Sequence, residues 1–413
     1  MFRKIIYCPI ILLFTVLCAS TSLALDATLP NGLSYESRKN EKHVIHILSI
    51  EPTQYHLKLV KAHNQVFGRE TVPAIALRSN AIAAINAGFF EIGNSEDGRP
   101  SGTLIINGDI FSLAKNKRAF LQLNDKTLSL GNAALNIKFT IKANVFSPDA
   151  INQFVKNKEI VFYNHVWGPT SLTPYDRQEI VVDKDFRVTK IVNHGDNAIP
   201  AQGWILSFPK SQVLPPLKIG QKMALDVNFN NDNDKNNIQW QGAENIVMGI
   251  PLLVQDGQVV SGLDSAGQKD FVMLPHARTA VGVQQDGTVV MVIVEHVYKQ
   301  SVGKVSLEQA RNILRDKQYS KEKLETMPAS EMCSIIQKEL ASQSNVIGLS
   351  LPDLAKLMID LKCVQAINLD GGGSSTLFLN GQVKNLAVGD TDEAMGQKIC
   401  RPVSNAIVVV KRD

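Results

Sequence analysis

The sequence predicts an α+β fold, with a large mixed, mostly antiparallel sheet framework, a few packing helices and a helical insertion late in the chain. Short alternating or continuously apolar segments dominate the first two thirds, as in residues 43–49, 55–60 and 81–90. Segments of this length and pattern are typical of strands. Apolar positions with helical spacing come later, after Ser306 and Ser350.

Residues 43–49 and 55–60 are bounded by proline or polar residues, and we expect them to form paired strands. Residues 81–90 are almost continuously apolar, which predicts a strand buried on both faces. Turn pairs that supply the positive φ angles of a tight hairpin occur four times between apolar segments. These pairs are Asn107-Gly108, Asp256-Gly257, Asp286-Gly287 and Asn380-Gly381.

Two helices have recognisable starts. Ser306 and Ser350 are each followed three residues later by a side chain that completes a capping pattern, Gln309 and Asp353. The apolar stripe after each serine indicates core packing. The polar segment between these helices, residues 315–344, is expected to be an inserted helical excursion.

The amino terminus predicts a secretory signal over residues 1–24. Arg3 and Lys4 precede an apolar stretch, and Ser22 and Ala24 stand where a signal peptidase reads small residues. The stretch has about 15 apolar residues, fewer than the roughly 20 of a spanning helix. We therefore expect a secreted protein, periplasmic or extracellular, with no stable membrane span after signal removal. A lead-in over 25–43 and one domain over 44–410 would follow, with the insertion at about 298–347.

Composition excludes several classes of protein. The chain has 413 residues, 43 Lys+Arg and 39 Asp+Glu, with 44% hydrophobic residues. Such values do not describe a disordered chain, and no concentrated basic segment indicates nucleic-acid binding. The histidines form no paired metal motif, so we expect no metal or other cofactor. Three cysteines lie after the predicted signal and allow one disulfide, whose pairing the sequence leaves open. They are Cys333, Cys363 and Cys400.

The most informative segment begins at Asp370, at the end of an apolar strand. Three glycines and three hydroxyl residues follow it directly: Gly371, Gly372, Gly373, Ser374, Ser375 and Thr376. Consecutive glycines occur where backbone approaches a partner closely, and a run of free N–H groups can bind an anion. A tight turn with a capped strand end is the alternative interpretation. No Gly-Lys-Ser/Thr occurs, which excludes a nucleotide P-loop.

Three further segments have a related character. Asn86 ends an apolar strand, Arg278 and Thr279 begin another, and Arg401 and Asn405 precede the final strand. A buried arginine is costly unless it is paired, so Arg278 should bind a carboxylate or an anionic ligand. The segments together predict an anion-binding pocket with one essential acid.

These motifs, in this order, resemble those of the phosphodiester glycosidase family. The resemblance is collinear over roughly residues 44–410, and its most specific part is Asn-Leu-Asp-Gly-Gly-Gly-Ser at 368–374. The other matching motifs are Asn-Ala-Gly-Phe-Phe at 86–90, Gly102 with Asn107-Gly108, Gly-Ile-Pro-Leu-Leu-Val at 249–254 with Asp256-Gly257, Arg-Thr-Ala-Val-Gly at 278–282 and Arg-Pro-Val-Ser-Asn at 401–405. The sequence departs from the family after Val294, where residues 295–347 intervene.

The resemblance implies hydrolysis of a sugar 1-phosphodiester between the anomeric carbon and the phosphate oxygen, as in envelope or exopolysaccharide metabolism. It places Asp370, Arg278 and Asn86 in catalysis, with Asp370 stabilising the sugar cation or activating water, the arginines on phosphate and Asn86 on a sugar hydroxyl or acetamido group. Substrate contacts would come from Gly371, Gly372, Gly373, Ser374, Ser375, Thr279, Arg401 and Asn405. A second carboxylate, if needed, would be Glu91, Asp97 or Glu295.

The sequence leaves two alternatives for the function. One is a non-catalytic module that binds anionic glycans, and the other is a phosphoesterase that cuts the other side of the phosphate. In each case we expect the partner to be a sugar phosphate or an anionic glycan.

Overall fold

The computed structural model describes residues 29–412, except 115, 117, 125–126, 142–143, 157, 231–243, 264–267, 297–310, 312–313, 315–318, 343–345, 387–388 and 393–396. The predicted signal segment and the start of the helix predicted after Ser306 therefore lie outside the described residues. Antiparallel sheets dominate the described part, with few helices, so the α+β prediction is confirmed. Strands are numbered β1 to β26 and helices α1 to α5 in chain order.

The first sheet has seven antiparallel strands. In spatial order they are β1 (Leu33–Lys39), β2 (Val44–Ile50), β20 (Val289–Val294), β19 (Arg278–Gln284), β21 (Cys363–Asn368), β17 (Leu252–Gln255) and β18 (Gln258–Val259). Strand β1 lies within the predicted lead-in and pairs along its whole length with β2.

The second sheet has five antiparallel strands, in the order β23 (Gln382–Val383), β22 (Leu377–Leu379), β4 (Ala83–Asn86), β26 (Asn405–Lys411) and β3 (Tyr55–Lys61). All four residues of the central strand β4 are buried, as the apolar run predicts. The predicted pairing of segments 43–49 and 55–60 is wrong, because β2 lies in the first sheet and β3 pairs with β26. Alternation indicates a strand but does not choose its partner.

The remaining strands form two more large sheets and a two-stranded ribbon. The third sheet has the order β15 (Ala224–Asn230), β8 (Leu128–Ile141), β7 (Arg118–Leu123), β16 (Ile246–Gly249), β5 (Leu104–Ile106) and β6 (Asp109–Ser112), with β9 (Asn144–Phe146) paired to β8. The fourth has the order β10 (Ala150–Ile151), β11 (Val161–Asn164), β14 (Trp204–Pro209), β12 (Arg177–Val182) and β13 (Val188–Val192). The ribbon pairs β24 (Asp390–Asp392) with β25 (Gln397–Ile399).

All four predicted hairpins are present. They join β5 to β6, β17 to β18, β19 to β20 and β22 to β23. Asn107, Asp256 and Asn380 have positive φ angles, as do the glycines of all four turns. Such angles let the chain reverse within a few residues.

The helices are α1 (Val72–Arg78), α2 (Lys269–Met273), α3 (Lys321–Thr326), α4 (Ala329–Ser342) and α5 (Leu351–Asp360). Ser350 caps α5 by accepting the Asp353 N–H, which confirms the predicted start. Leu354 and Met358 of α5 are fully buried in a cluster with residues of the first sheet. No helix within the described ranges is long and apolar enough to cross a membrane.

A single large apolar cluster includes side chains from all four large sheets. In an antiparallel pair, one strand begins where its partner ends. The ends of β21 and β4 therefore lie beside the starts of β19 and β26. Strand β21 ends beside the start of β19, where Ala280 pairs with Asn368. Strand β4 ends beside the start of β26, where Ala406 pairs with Asn86.

Candidate active site

Asn86, at the end of β4, is bonded directly to Asp370, in the segment that follows β21. The Asn86 side-chain amide donates to the Asp370 carbonyl oxygen at 2.6 Å, and the Asp370 N–H donates to the Ala87 carbonyl at 2.9 Å. The Asn86 Oδ1 accepts the Thr279 hydroxyl at 2.9 Å and the Thr376 N–H at 3.1 Å. Asn86 is 1% exposed. Its side chain therefore holds three of the predicted site segments together.

The glycines after Asp370 are required by close contacts. A Cβ on Gly371 would lie 2.6 Å from the Ala277 carbonyl oxygen, and a Cβ on Gly373 would lie 2.7 Å from the Arg401 Cζ. Gly372 has a φ of 58° and begins a 3-10 turn over Gly372–Ser374. Larger residues would separate the loop from its neighbours, so the three glycines allow a close approach, as expected.

The predicted run of free N–H groups is not formed. The Gly372 N–H donates to the Ala277 carbonyl at 2.8 Å, and the N–H groups of Ser374 and Ser375 donate back to Gly371 and Gly372. The N–H groups of Ser374 and Ser375 are used within the loop because a 3-10 turn closes i to i+3 bonds. An anion at this loop would therefore be bound mainly by side chains.

Asp370 has a strongly perturbed acidity. Burial of its carboxyl group raises the pKa to about 6, against the opposing effects of a hydrogen bond from Ser374, the Arg401 charge and the Gly371 N–H. The residue as a whole keeps part of its surface exposed. A carboxyl group that is crowded yet accessible, with a pKa near neutrality, is suited to proton transfer.

Arg401 is a cation whose charge acts on this acid. Its guanidinium packs against Gly373 and donates from Nη2 to the Gly389 carbonyl at 3.1 Å. The side chain is partly exposed, and its charge acts on Asp370. A partly exposed guanidinium beside the acid is well placed to meet a phosphate group.

Arg278 is bonded in a different way. It is 2% exposed, and its guanidinium donates to the carbonyls of Leu349 at 2.9 Å, Phe271 at 2.8 Å and Leu274 at 3.1 Å. Its Cζ also lies 5.3 Å from the centre of the Phe271 ring. These bonds tie the end of α2 to the start of β19, and a contact of Arg278 with substrate stays a prediction.

The other predicted binding residues lie beneath the loop. Thr279 is fully buried, with its hydroxyl 3.3 Å from the Ser375 Oγ as well as bonded to Asn86. The Asn405 Oδ1 accepts the Gly88 N–H at 2.7 Å, and its Nδ2 is buried without a hydrogen-bond partner. The structure brings these residues together, but their side chains are bonded to the protein and support the loop.

The three candidates for a second carboxylate lie in different surroundings. Glu91 accepts the Ser101 hydroxyl at 3.0 Å. Asp97 forms an ion pair with Arg69 at 2.8 Å. Partial burial opposes ionisation of Asp97, but hydrogen bonds from Gly93 and Arg69 hold its pKa below the ordinary value. Glu295 is 6% exposed and pairs with His46 at 2.8 Å.

A cavity of about 670 Å³ is lined in part by Phe271, whose ring contacts Arg278. Its lining includes Phe89, Phe271, Pro251, Asn132 and Gln268. The Phe89 and Phe271 rings meet edge to face with centroids 6.3 Å apart. Aromatic faces with a few amide side chains suit a sugar ring, which has both apolar faces and hydroxyl groups.

Some parts of the site have no signal in the sequence. Asn385 accepts the Leu377 N–H at 2.7 Å and donates to the Ser375 carbonyl at 2.9 Å, yet it follows an ordinary hairpin.

The Cys363 thiol is buried and outside any disulfide, and burial raises its pKa to about 12. Cys363 therefore takes no part in the disulfide that the sequence allows, and the Cys333 side chain lies outside the described residues.

Comparisons with known proteins identify the family of this chain. The family model described as phosphodiester glycosidase matches residues 176–319 and 335–410, just over half of the chain. An uncharacterized protein of Rickettsia conorii is 43% identical over 289 residues, which cover 69% of this chain and 99% of that protein.

Two solved structures share the fold. A hypothetical protein from Synechocystis aligns with a TM-score of 0.65 and 21% identity over 92% of this chain, and this chain spans 62% of its length. A candidate exported protein from Burkholderia pseudomallei aligns with a TM-score of 0.60 and 18% identity, over 91% of this chain and 74% of its own. With the family match and the Rickettsia relative, the conclusion is that this chain belongs to the phosphodiester glycosidase family.

Proposed function

We propose that this protein is a secreted hydrolase that cleaves a sugar 1-phosphodiester to the free sugar and a phosphomonoester. The observation that carries the proposal is Asp370, a crowded carboxyl group with a pKa of about 6, beside Ser374 and the Arg401 guanidinium. One acid and one cation together match a substrate in which a sugar carbon and a phosphate react. The signal predicted over residues 1–24 supports secretion to a periplasm or the cell exterior.

In the proposed reaction, water adds to the anomeric carbon as the bond from that carbon to the phosphate oxygen breaks. The ionised Asp370 accepts the proton of the water, and the bonding electrons stay on the leaving phosphate. Arg401 offsets the charge that develops there, which charge-assisted hydrogen bonds do well. Because a phosphomonoester leaves readily, a strong general acid is less necessary than in ordinary glycoside hydrolysis.

Other predicted residues have supporting roles in this proposal. Asn86 and Arg278 fix the loop and strand that carry the reacting groups, since their side chains form hydrogen bonds to other parts of the protein. The cavity beside Phe89 and Phe271 would receive the sugar, with Asn132 and Gln268 available to its hydroxyl or acetamido groups.

The test is product analysis with the chain purified without residues 1–24. A GlcNAc-1-phosphodiester would be incubated with the protein, with and without chelator, and the products separated. Free sugar plus phosphomonoester is the expected result. Sugar 1-phosphate would instead indicate a phosphoesterase, and measurable binding without turnover would indicate a glycan-binding module. Either of those results would overturn the proposal.

A further inference from the structure

A buried polar chain ends close to the candidate site without being part of it. Glu295, directly after β20, has a carboxylate oxygen Oε1 that lies 2.8 Å from the His46 Nε2. The His46 Nδ1 lies 2.7 Å from the Tyr35 hydroxyl. His46 and Glu295 are 4% and 6% exposed. A histidine that accepts from the tyrosine and donates to the glutamate satisfies each of these contacts.

The same Glu295 oxygen also binds the segment after β23. The Leu386 N–H donates to Oε1 at 2.7 Å. A carboxylate that accepts from a main-chain N–H makes a charge-assisted bond, which is stronger than a neutral one. The Leu386 side chain packs beside Val44 and Val346, and also beside the apolar cluster of the α3 and α4 region. Leu386 is therefore held by both its main chain and its side chain.

Asn385, one residue earlier, transmits this anchoring to the catalytic loop. It is 7% exposed, accepts the Leu377 N–H and donates to the Ser375 carbonyl. Ser375 follows Ser374, whose hydroxyl is bonded to the Asp370 carboxyl group. The contacts thus run without a break from Glu295 through Leu386, Asn385 and Ser375 to the acid.

We propose that Glu295 is a positioning residue for the Asp370 loop, acting through Leu386 and Asn385, and not a second catalytic carboxylate. Its Oε1 is engaged by two protein groups within hydrogen-bond distance, which leaves it poorly disposed to attack or protonate a substrate. The role in catalysis rests on the proposed function, whereas the anchoring of the Asn385 segment does not.

The test compares Glu295→Ala and Glu295→Gln in the full mature chain. Glutamine keeps an oxygen that can accept the Leu386 N–H, so it should restore what alanine loses. Glu179→Ala is the matched control, because Glu179 is a fully buried carboxylate bonded to Ser171 and Thr173 in the fourth sheet. Two readouts are needed: steady-state kinetics on the GlcNAc-1-phosphodiester, and hydrogen–deuterium exchange of peptides that span residues 375–386.

For Glu295→Ala we expect kcat to fall by about 10- to 100-fold with KM within about twofold, because a small displacement of a reacting group costs rate more than binding. The Leu377 and Leu386 amides should exchange faster, and Glu295→Gln should recover both readouts. If alanine prevents folding, Asn385→Ala provides the second variant and should show the same kinetic pattern.

Several results would overturn the proposal. Loss of activity in Glu295→Gln equal to that in Glu295→Ala would indicate a catalytic carboxylate. Unchanged hydrogen–deuterium exchange at residues 375–386 in Glu295→Ala, or an equal change in Glu179→Ala, would show that Glu295 does not specifically anchor this segment. If the unmodified protein hydrolyses no phosphodiester, the proposed function fails, and the exchange measurements alone still decide whether Glu295 anchors the segment.

Discussion

Asn86 donates its side-chain amide to the main-chain carbonyl of Asp370 at 2.6 Å, across 284 positions of sequence. This bond joins the end of β4 in the second sheet to the segment that follows β21 of the first sheet. The position of the acid therefore depends on a side chain that is distant in sequence.

We expect Asn86→Ala to reduce both stability and activity. The substitution removes three hydrogen bonds, to buried groups of Asp370, Thr279 and Thr376, and leaves the Thr279 hydroxyl only the Ser375 Oγ at 3.3 Å. Buried unpaired groups cost about 1–3 kcal/mol each, with partial compensation, so we expect a loss of about 2–4 kcal/mol. Denaturant unfolding measures the stability, and kcat/KM should fall at least about tenfold.

Asn164→Ala is the control for that prediction. Asn164 also ends a buried strand and makes two side-chain hydrogen bonds, but it belongs to the fourth sheet. We expect it to lose stability while kcat/KM of the folded protein stays within about twofold. Equal activity losses in the two variants would show that Asn86 has no special relation to the site.

Asp370→Asn should abolish activity and stabilise the fold at neutral pH. Without the carboxylate, kcat should fall by about 100-fold or more. Because the folded-state pKa of about 6 exceeds the ordinary value of 3.8, the folded state binds the proton more tightly, and the free energy of unfolding decreases as pH rises between these values. Removing the buried charge should therefore raise the free energy of unfolding by about 1–3 kcal/mol at pH 7.

The measurement is thermal or denaturant unfolding of both proteins at pH 3.5 and pH 7. The stabilisation should be present at pH 7 and nearly absent at pH 3.5, where Asp370 is protonated in the folded state and mostly protonated in the unfolded state. Activity of Asp370→Asn close to that of the unmodified protein would remove Asp370 from the mechanism.

The pH profile of kcat/KM should have an acid limb near pH 6, because the ionised Asp370 is the proposed base. Arg401→Met should move this limb to higher pH, since the Arg401 charge lowers the Asp370 pKa. KM should also rise, because a phosphate contact is lost. Arg38→Met is the control, as Arg38 pairs with Glu36 on the edge strand β1 and should leave the limb in place. A limb that does not move in Arg401→Met would contradict the assignment.

Gly373→Ala should lower activity strongly. The new Cβ would come within 2.7 Å of the Arg401 guanidinium and of the Gly389 Cα, so one of them must move. We expect kcat/KM to fall at least about tenfold, because the cation would no longer sit beside the acid. Gly287→Ala is the control: it introduces positive-φ strain in the β19–β20 turn, where nothing lies within 4 Å. It should cost about 1 kcal/mol of stability and leave kcat/KM unchanged.

Local patterns predicted much of the framework. The four turn pairs, the buried run that became β4 and the Ser350 cap were all readable, because turn chemistry, burial and capping depend on neighbouring residues. The pairing of residues 43–49 with 55–60 was wrong, since β3 pairs with β26 near the other end of the chain. Partner choice depends on the packing of distant strands, which alternation does not encode.

By itself, the sequence determined the class of fold, the family and the segments predicted to form the site, because glycine runs, strand-end polar residues and hairpin turns are local requirements of the backbone. Only the tertiary structure decided which contacts those segments make. It bonds Arg278 to carbonyls, leaves Arg401 partly exposed beside Asp370, and connects Glu295 to the loop through Leu386. The physical reason is that burial and hydrogen-bond partners are set by which elements meet in space, and these meet across hundreds of residues.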